Sequence, residues 1–415
     1  MSKITKRAQL TAATVAILAS MSPAAPAAQA SRARPTLQGR SFTVVAVADT
    51  GINPYHVDFR RPELTAHPST YIEGFPAETP ALNLSLGGRS LETALSRDSE
   101  AWRRVETNDL VWIPGTNIVG AIDVTGDEFK FLDRRGHGTA VASIAGGRRY
   151  GPGSDDVLIV AIQGSTAGLA WAAQQPWIDF ITNSWTTFDA EPVTQGAAAA
   201  SREAVRGGKV VCFASGNLAM PLWFTGEQGP SWHVNVGAAS SSNRGEHYYT
   251  GWPNDVLGIA NVKAAAHDSV SGSTDFGGTS AATPHVCGLM AKALAEARAE
   301  LGDVRQGPHG GSLASGRGKG AYLDDGRLTN HELIDAIQAT AVPAEANPPD
   351  PDDPASIPAL PVAPWIRGGY GIVDRDSATA ALRVVLGLEE RPDRNLEDTW
   401  VAAVDRIRDA LWGAP

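Results

Sequence analysis

Four short apolar runs rich in β-branched residues, at 42–48 (FTVVAVA), 157–162 (VLIVAI), 178–182 and 209–214 (KVVCFA), alternate with helical stretches such as 165–174 and 196–206. A strand with one solvated face alternates in polarity, whereas a strand that is apolar throughout needs cover on both faces. Apolar strands divided by helices therefore predict an α/β fold: three layers, α/β/α, with a mostly parallel central sheet. In such sheets, ligands and reactive groups collect beyond the carboxyl ends of the strands. Residues that directly follow a strand thus carry most of the functional interest.

The 415 residues suffice for one large domain or two ordinary ones. An apolar share of 43% and a charged share of 19% are those of a soluble globular protein. A net charge of −10, with no dense basic patch, argues against general nucleic-acid binding. At the N-terminus, Lys3, Lys6 and Arg7 precede an apolar stretch at 10–21, and Ala28-Gln29-Ala30 follows. That order reads as an export signal over 1–30, with a disordered Ala-rich leader as the alternative. The apolar stretch is shorter than the about 20 residues a spanning helix needs. The expectation is a secreted, monomeric protein with no membrane association once the signal is removed. The 2 cysteines, Cys212 and Cys287, make no disulfide scaffold. Free buried thiols are favoured over a pair.

After a short segment at 31–41, the main domain is expected over 42–387. Within it, 60–130 reads as an insertion, a hairpin with loops, containing Trp102 and Trp112. The Gly-rich stretch 303–325 and the Pro- and Asp-rich stretch 342–364 read as flexible loops. A helix is expected at 377–386. In the extension 388–415, Leu396, Trp400, Val404, Ile407 and Leu411 recur at helical spacing over 395–411.

Three segments carry chemistry. Asp49-Thr50-Gly51 directly follows a strand, so Asp49 is either a reactive carboxylate at the opening of the sheet or part of an ordinary turn. An aspartic protease needs a second such motif, and none follows. Gly136-His137-Gly138-Thr139 sets a histidine between glycines ahead of an Ala-rich helix. An imidazole there suits proton transfer near neutral pH; a plain surface histidine is the bland reading. No partner His or Glu stands at metal-ligand spacing. In GGTSAATPHV (277–286), Ser280 is either a helix-capping serine or a nucleophile at the positive end of a helix.

In this order, VAVADTGI, GHGTAVASIAGG, FASGN and GGTSAATPHVCG resemble the signature segments of the subtilisin-like serine proteases. The resemblance extends over about 42–386, through GLAWAAQQPWIDFITNSW, SWHVNVGAASSSNRG and GGYGIVDRDSATAAL. It implies a subtilisin-like fold and a serine endopeptidase acting through an acyl-enzyme. Ser280 is then the nucleophile, His137 the general base, Asp49 its orienting carboxylate and Asn217 the oxyanion-hole asparagine. Ser184, Trp185 and Thr186 align with the strand that pairs with an extended peptide, and Ala214, Ser215 and Gly216 with the opposite wall of the specificity pocket. Thr186 replaces the family's usual glycine. Asp58 matches a calcium carboxylate of many relatives, but the ligand-bearing loop is shortened to RRYGPGSDD. No metal or cofactor is expected; the partner is a protein or peptide substrate. The stretch 31–41 leaves no room for the family's N-terminal pro-domain, so the expectation is that the protein folds without one or is restrained by another segment, such as the insertion at 60–130. The alternatives are a catalytically inactive peptide-binding homologue, or a peptide ligase or cyclase using the same triad.

Overall fold

The computed structural model describes residues 37, 39–185, 196–217, 232–239, 254–301, 328–343 and 369–392, within a compact unit that begins at Arg34. The export signal, the loop 303–325, nearly all of 342–364, the helix at 395–411 and Thr186 lie outside the described residues.

In chain order the elements are β1 (Thr43–Asp49), α1 (Leu91–Arg97), α2 (Ser99–Arg103), β2 (Ile118–Asp123), α3 (His137–Gly146) and β3 (Val157–Gln163). Then come α4 (Thr166–Ala173), β4 (Phe180–Asn183), α5 (Gly196–Arg206), β5 (Val210–Ala214), β6 (Val234–Ala239) and β7 (Val256–Ile259). Last are β8 (Val262–Ala265), β9 (Ser273–Phe276), α6 (Thr279–Leu301), α7 (Asn330–Thr340), β10 (Ile372–Val373) and α8 (Arg375–Val385). Among the described residues the main sheet has 8 strands in the order β10-β7-β6-β5-β4-β1-β3-β2, and neighbours run parallel. β8 and β9 form a separate antiparallel hairpin.

Every residue of β1 is buried. Because side chains alternate across a strand, this one segment contributes to two cores. Val45 and Val47 share a core with Val141 of α3 and Val286 of α6, while Val44 and Ala46 share another with Leu169 of α4 and Ala204 of α5. Helices therefore cover both faces, and the fold is a three-layer α/β/α sandwich. Cys212 and Cys287 are free and buried in the α3/α6 core.

The stretch 60–130 departs from the expected hairpin. Its described residues contain α1 and α2, and IVGAID forms the fully buried β2, which pairs in parallel with β3 at the sheet edge. Its charged residues mark the turns and helices around a strand that belongs to the main sheet.

β1 lies where the strand order reverses: β3 and β2 stand on one side, β4 to β7 on the other. Such a reversal opens a crevice beyond the carboxyl ends of the strands. Asp49, the last residue of β1, is level there with Gln163, the last of β3.

Candidate active site

Asp49 is 7% exposed. Its Oδ1 accepts the Thr50 backbone N–H at 2.8 Å, and both carboxylate oxygens lie within reach of His137 Nδ1, at 2.8 and 3.0 Å. An ionised carboxylate only accepts, so Nδ1 carries the proton and Nε2 is left with its lone pair as the basic nitrogen. About a third of the imidazole is open to solvent, 34%, against 3% of the Asp49 side chain.

His137 is the first residue of α3, and the glycines around it permit the approach. Gly136 adopts φ 88°, a left-handed conformation. At Gly138 an added Cβ would fall 2.3 Å from the Gly51 carbonyl oxygen. The DTG and GHG loops thus meet backbone to backbone, which brings an imidazole onto a carboxylate 88 residues earlier in the chain. Burial works against the charged imidazole, but the Asp49 hydrogen bond, the Asp49 charge and the Asp133 charge outweigh it, so the His137 pKa is raised. The Phe276 ring closes one side of the imidazole in an edge-on contact at 5.2 Å.

Ser280 is the second residue of α6, so its N–H is among those that the start of a helix leaves without an intrahelical acceptor. Its hydroxyl donates to the Ser184 carbonyl at 3.2 Å, and the Ser184 hydroxyl donates to the Ser280 carbonyl at 3.0 Å. No hydrogen bond joins Ser280 to His137 among the described residues. The exposed Asn217 lies beside the same helix start. Its Oδ1 accepts the Thr279 N–H at 2.9 Å and the Thr279 hydroxyl at 3.0 Å. With the carbonyl end of the amide committed to Thr279, the –NH2 end is the free donor.

The expected substrate walls are partly described. The Trp185 indole N–H donates to the Ala48 carbonyl at 2.9 Å, and its ring meets Phe213 edge-on at 5.4 Å. Trp185 is thereby tied to the residue before Asp49. Ala214 ends β5, the Ser215 N–H donates to Val236 at 3.1 Å, and Gly216 turns the chain at φ 93°. Asp58 is buried against the shortened loop, where it accepts the Arg149 N–H. Among the described residues no group of three or more His, Cys, Asp or Glu is placed to hold a metal ion. Sequence reasoning missed Asp133, Thr279 and Phe276, although an Asp shortly before a helix start is a capping signal that could have singled out the first.

Residues 40–306 match the model of the Subtilase family. A subtilisin-like protease of Coccidioides posadasii (strain C735) is 26% identical over 200 residues, 43% of this chain and 46% of that protein. The match thus spans less than half of the relative's length. Among solved structures, a cold-adapted subtilisin-like serine proteinase aligns at 24% identity over 70% of this chain and 87% of its own, with a TM-score of 0.41. The prenylagaramide maturation protease PagA aligns at 17% identity over 82% and 93%, with a TM-score of 0.45. Since the family match takes in β1 with Asp49, the start of α3 with His137, and the start of α6 with Ser280, over well more than half the chain, the protein belongs to the subtilase family.

Proposed function

We propose that this protein is a secreted serine endopeptidase that hydrolyses peptide bonds through Asp49, His137 and Ser280, with Asn217 in the oxyanion hole. The observation that carries this reading is the imidazole of His137 held through Nδ1 by a nearly buried carboxylate, at 2.8 and 3.0 Å, with its other nitrogen left basic.

An extended peptide adds along 184–185, with 214–216 as the facing wall, and presents its carbonyl to Ser280. The Ser280 hydroxyl leaves the Ser184 carbonyl for His137 Nε2 in the substrate complex, where catalytic hydrogen bonds that are absent from free active sites form. His137 takes the proton as Ser280 Oγ bonds to the carbonyl carbon. Asp49 stabilises the imidazolium and holds the ring in its tautomer. The negative oxygen of the tetrahedral intermediate is met by the Asn217 amide –NH2 and the Ser280 N–H as oxyanion-hole donors. His137 then protonates the leaving amine, and water hydrolyses the acyl-enzyme by the same route in reverse.

The test is a fluorophosphonate probe applied to the purified full chain, followed by mass spectrometry of the products from a peptide library. Wild-type protein should be labelled at Ser280 and give hydrolysed fragments. The Ser280→Ala variant should lose labelling and about 10⁶-fold of turnover, as for the nucleophile of subtilisin. Absence of labelling, or labelling that survives Ser280→Ala, overturns the assignment. Recovery of the protein in the medium, cut after Ala30, tests export.

A further inference from the structure

A second carboxylate lies beneath the loop that presents His137. Asp133 is 2% exposed. Its Oδ1 accepts the Thr50 hydroxyl at 3.0 Å and the N–H groups of Arg135 and Gly136 at 2.9 and 2.8 Å. Its Oδ2 accepts the Thr139 N–H at 2.8 Å and the Thr139 hydroxyl at 2.7 Å. A buried charge is tolerated only when its hydrogen-bonding capacity is filled, and here it is filled by donors from the turn and first residues of α3. Gly136, the N-cap of α3, has no side chain to cap the helix, so Asp133 supplies the acceptor that satisfies the helix start.

Thr50 links this carboxylate to the other one. Its hydroxyl donates to Asp133 and accepts the Gly138 N–H at 2.8 Å, while its own N–H donates to Asp49. His137 is therefore held between Gly136, whose N–H binds Asp133, and Gly138, whose N–H binds Thr50. Among the described residues, the charges that act on the imidazole are those of Asp49, at the end of β1, and Asp133, in the loop before α3, and the uncharged Phe276 ring from β9 meets it edge-on. His267, from the β8–β9 turn, lies against Gly136.

We propose that Asp133 is a positioning residue for His137: its hydrogen bonds fix the turn that aims the ring, and its charge stabilises the imidazolium formed when Ser280 gives up its proton. The proposal rests on the reading of His137 as the general base. A merely structural Asp133 would supply the first effect without the second.

The decisive measurement is an NMR titration of the His137 ring in the Ser280→Ala full-length protein, which reports the imidazole without any need for turnover. Adding Asp133→Asn is expected to move the midpoint to lower pH. Adding Thr139→Val removes one of the same hydrogen bonds but keeps the charge, and is expected to leave the midpoint in place. A midpoint that Asp133→Asn does not move, or that Thr139→Val moves as far, overturns the proposal. Should Asp133→Asn fail to fold, the carboxyl carbon of Asp133 is followed in the Ser280→Ala protein. Coupling between sites is reciprocal, so that resonance should inflect at the His137 midpoint, and a resonance without the inflection overturns the proposal equally. In protein with its nucleophile, Asp133→Asn should also lower kcat about 10- to 100-fold. Wild-type protein that cleaves no peptide would count against the peptidase reading alone, because the ring titration is read without a nucleophile.

Discussion

Asp179 and Arg298 form a buried bidentate ion pair: the guanidinium meets the two carboxylate oxygens at 2.9 and 2.5 Å, and the side chains are 1% and 3% exposed, respectively. Asp179 also accepts the Val44 N–H of β1 at 3.0 Å, and Arg298 donates to the Phe42 carbonyl at 3.0 Å. The pair joins the start of β1, the entry to β4 and the distal part of α6. The opposite ends of these three elements carry Asp49, Ser184 and Ser280. Buried pairs are costly to break because the remaining partner keeps its charge without compensation.

Asp179→Asn should therefore destabilise the fold by about 3–5 kcal/mol. Chemical denaturation reads the loss. The folded fraction should keep its turnover within a few-fold, since the pair lies away from the reacting groups. An unchanged unfolding midpoint would contradict the tie between the three elements.

Asn217→Ala should lower kcat about 10²–10³-fold with little change in KM, the loss expected when one oxyanion donor is removed. Asn217→Asp separates donor from tether. It keeps an acceptor for Thr279 but replaces the –NH2 with an oxygen that repels the oxyanion. It should be at least as inactive as the alanine variant while unfolding closer to wild type. Steady-state kinetics with thermal unfolding distinguishes the two, and an active Asn217→Asp enzyme would exclude the asparagine from the oxyanion hole.

The pH dependence follows from the raised His137 pKa. The base must be neutral to accept the Ser280 proton, so kcat/KM should rise along an acid limb centred above the ordinary imidazole value of about 6.5. Asp49→Asn removes the charge and offers Nδ1 an amide –NH2 donor that favours the wrong tautomer; the His137 ring titration should move to lower pH and turnover fall roughly 10⁴-fold. Stability changes in the matching sense. A pKa raised by folding contributes stability that is complete below the unfolded value and disappears as pH rises through the folded one. The stability difference between wild type and Asp49→Asn should narrow across that window, and a difference that widens would contradict the shift.

Gly138→Ala tests the contact between loops. The new Cβ would sit 2.3 Å from the Gly51 carbonyl oxygen and 3.0 Å from the backbone nitrogens of Gly51 and Thr50, none of them on a flexible side chain. Separating the loops draws His137 away from Asp49. The expected result is about 1–3 kcal/mol of destabilisation and a fall in kcat of about 10². Wild-type kinetics in this variant would show that the loops can part at no cost to the site.

Much of the fold was legible because strand burial is written directly into composition. The apolar runs at 42–48, 157–162 and 209–214 contain the bulk of β1, β3 and β5, and the Ala-rich stretch after His137 is α3. β2 was harder to place, since its six residues are flanked by the charged turns and short helices of 60–130. The family resemblance implies a place for Trp185 on the peptide-pairing strand, and nothing local indicates that its indole reaches back to the Ala48 carbonyl.

The sequence alone determined the residue types and their order: a carboxylate after a strand, a histidine between glycines, a serine at a helix start. Local propensity and burial pattern act over a few residues, so they are readable along the chain. Tertiary structure decided how Asp49 and His137 face each other, that Ser280 shares hydrogen bonds with Ser184, and that Asp133 and Thr50 support the turn at His137. These contacts depend on which strands become neighbours and on how closely backbones approach. Both are set by packing of the whole sheet and its two helix layers, a sum over many distant side chains that no short segment contains.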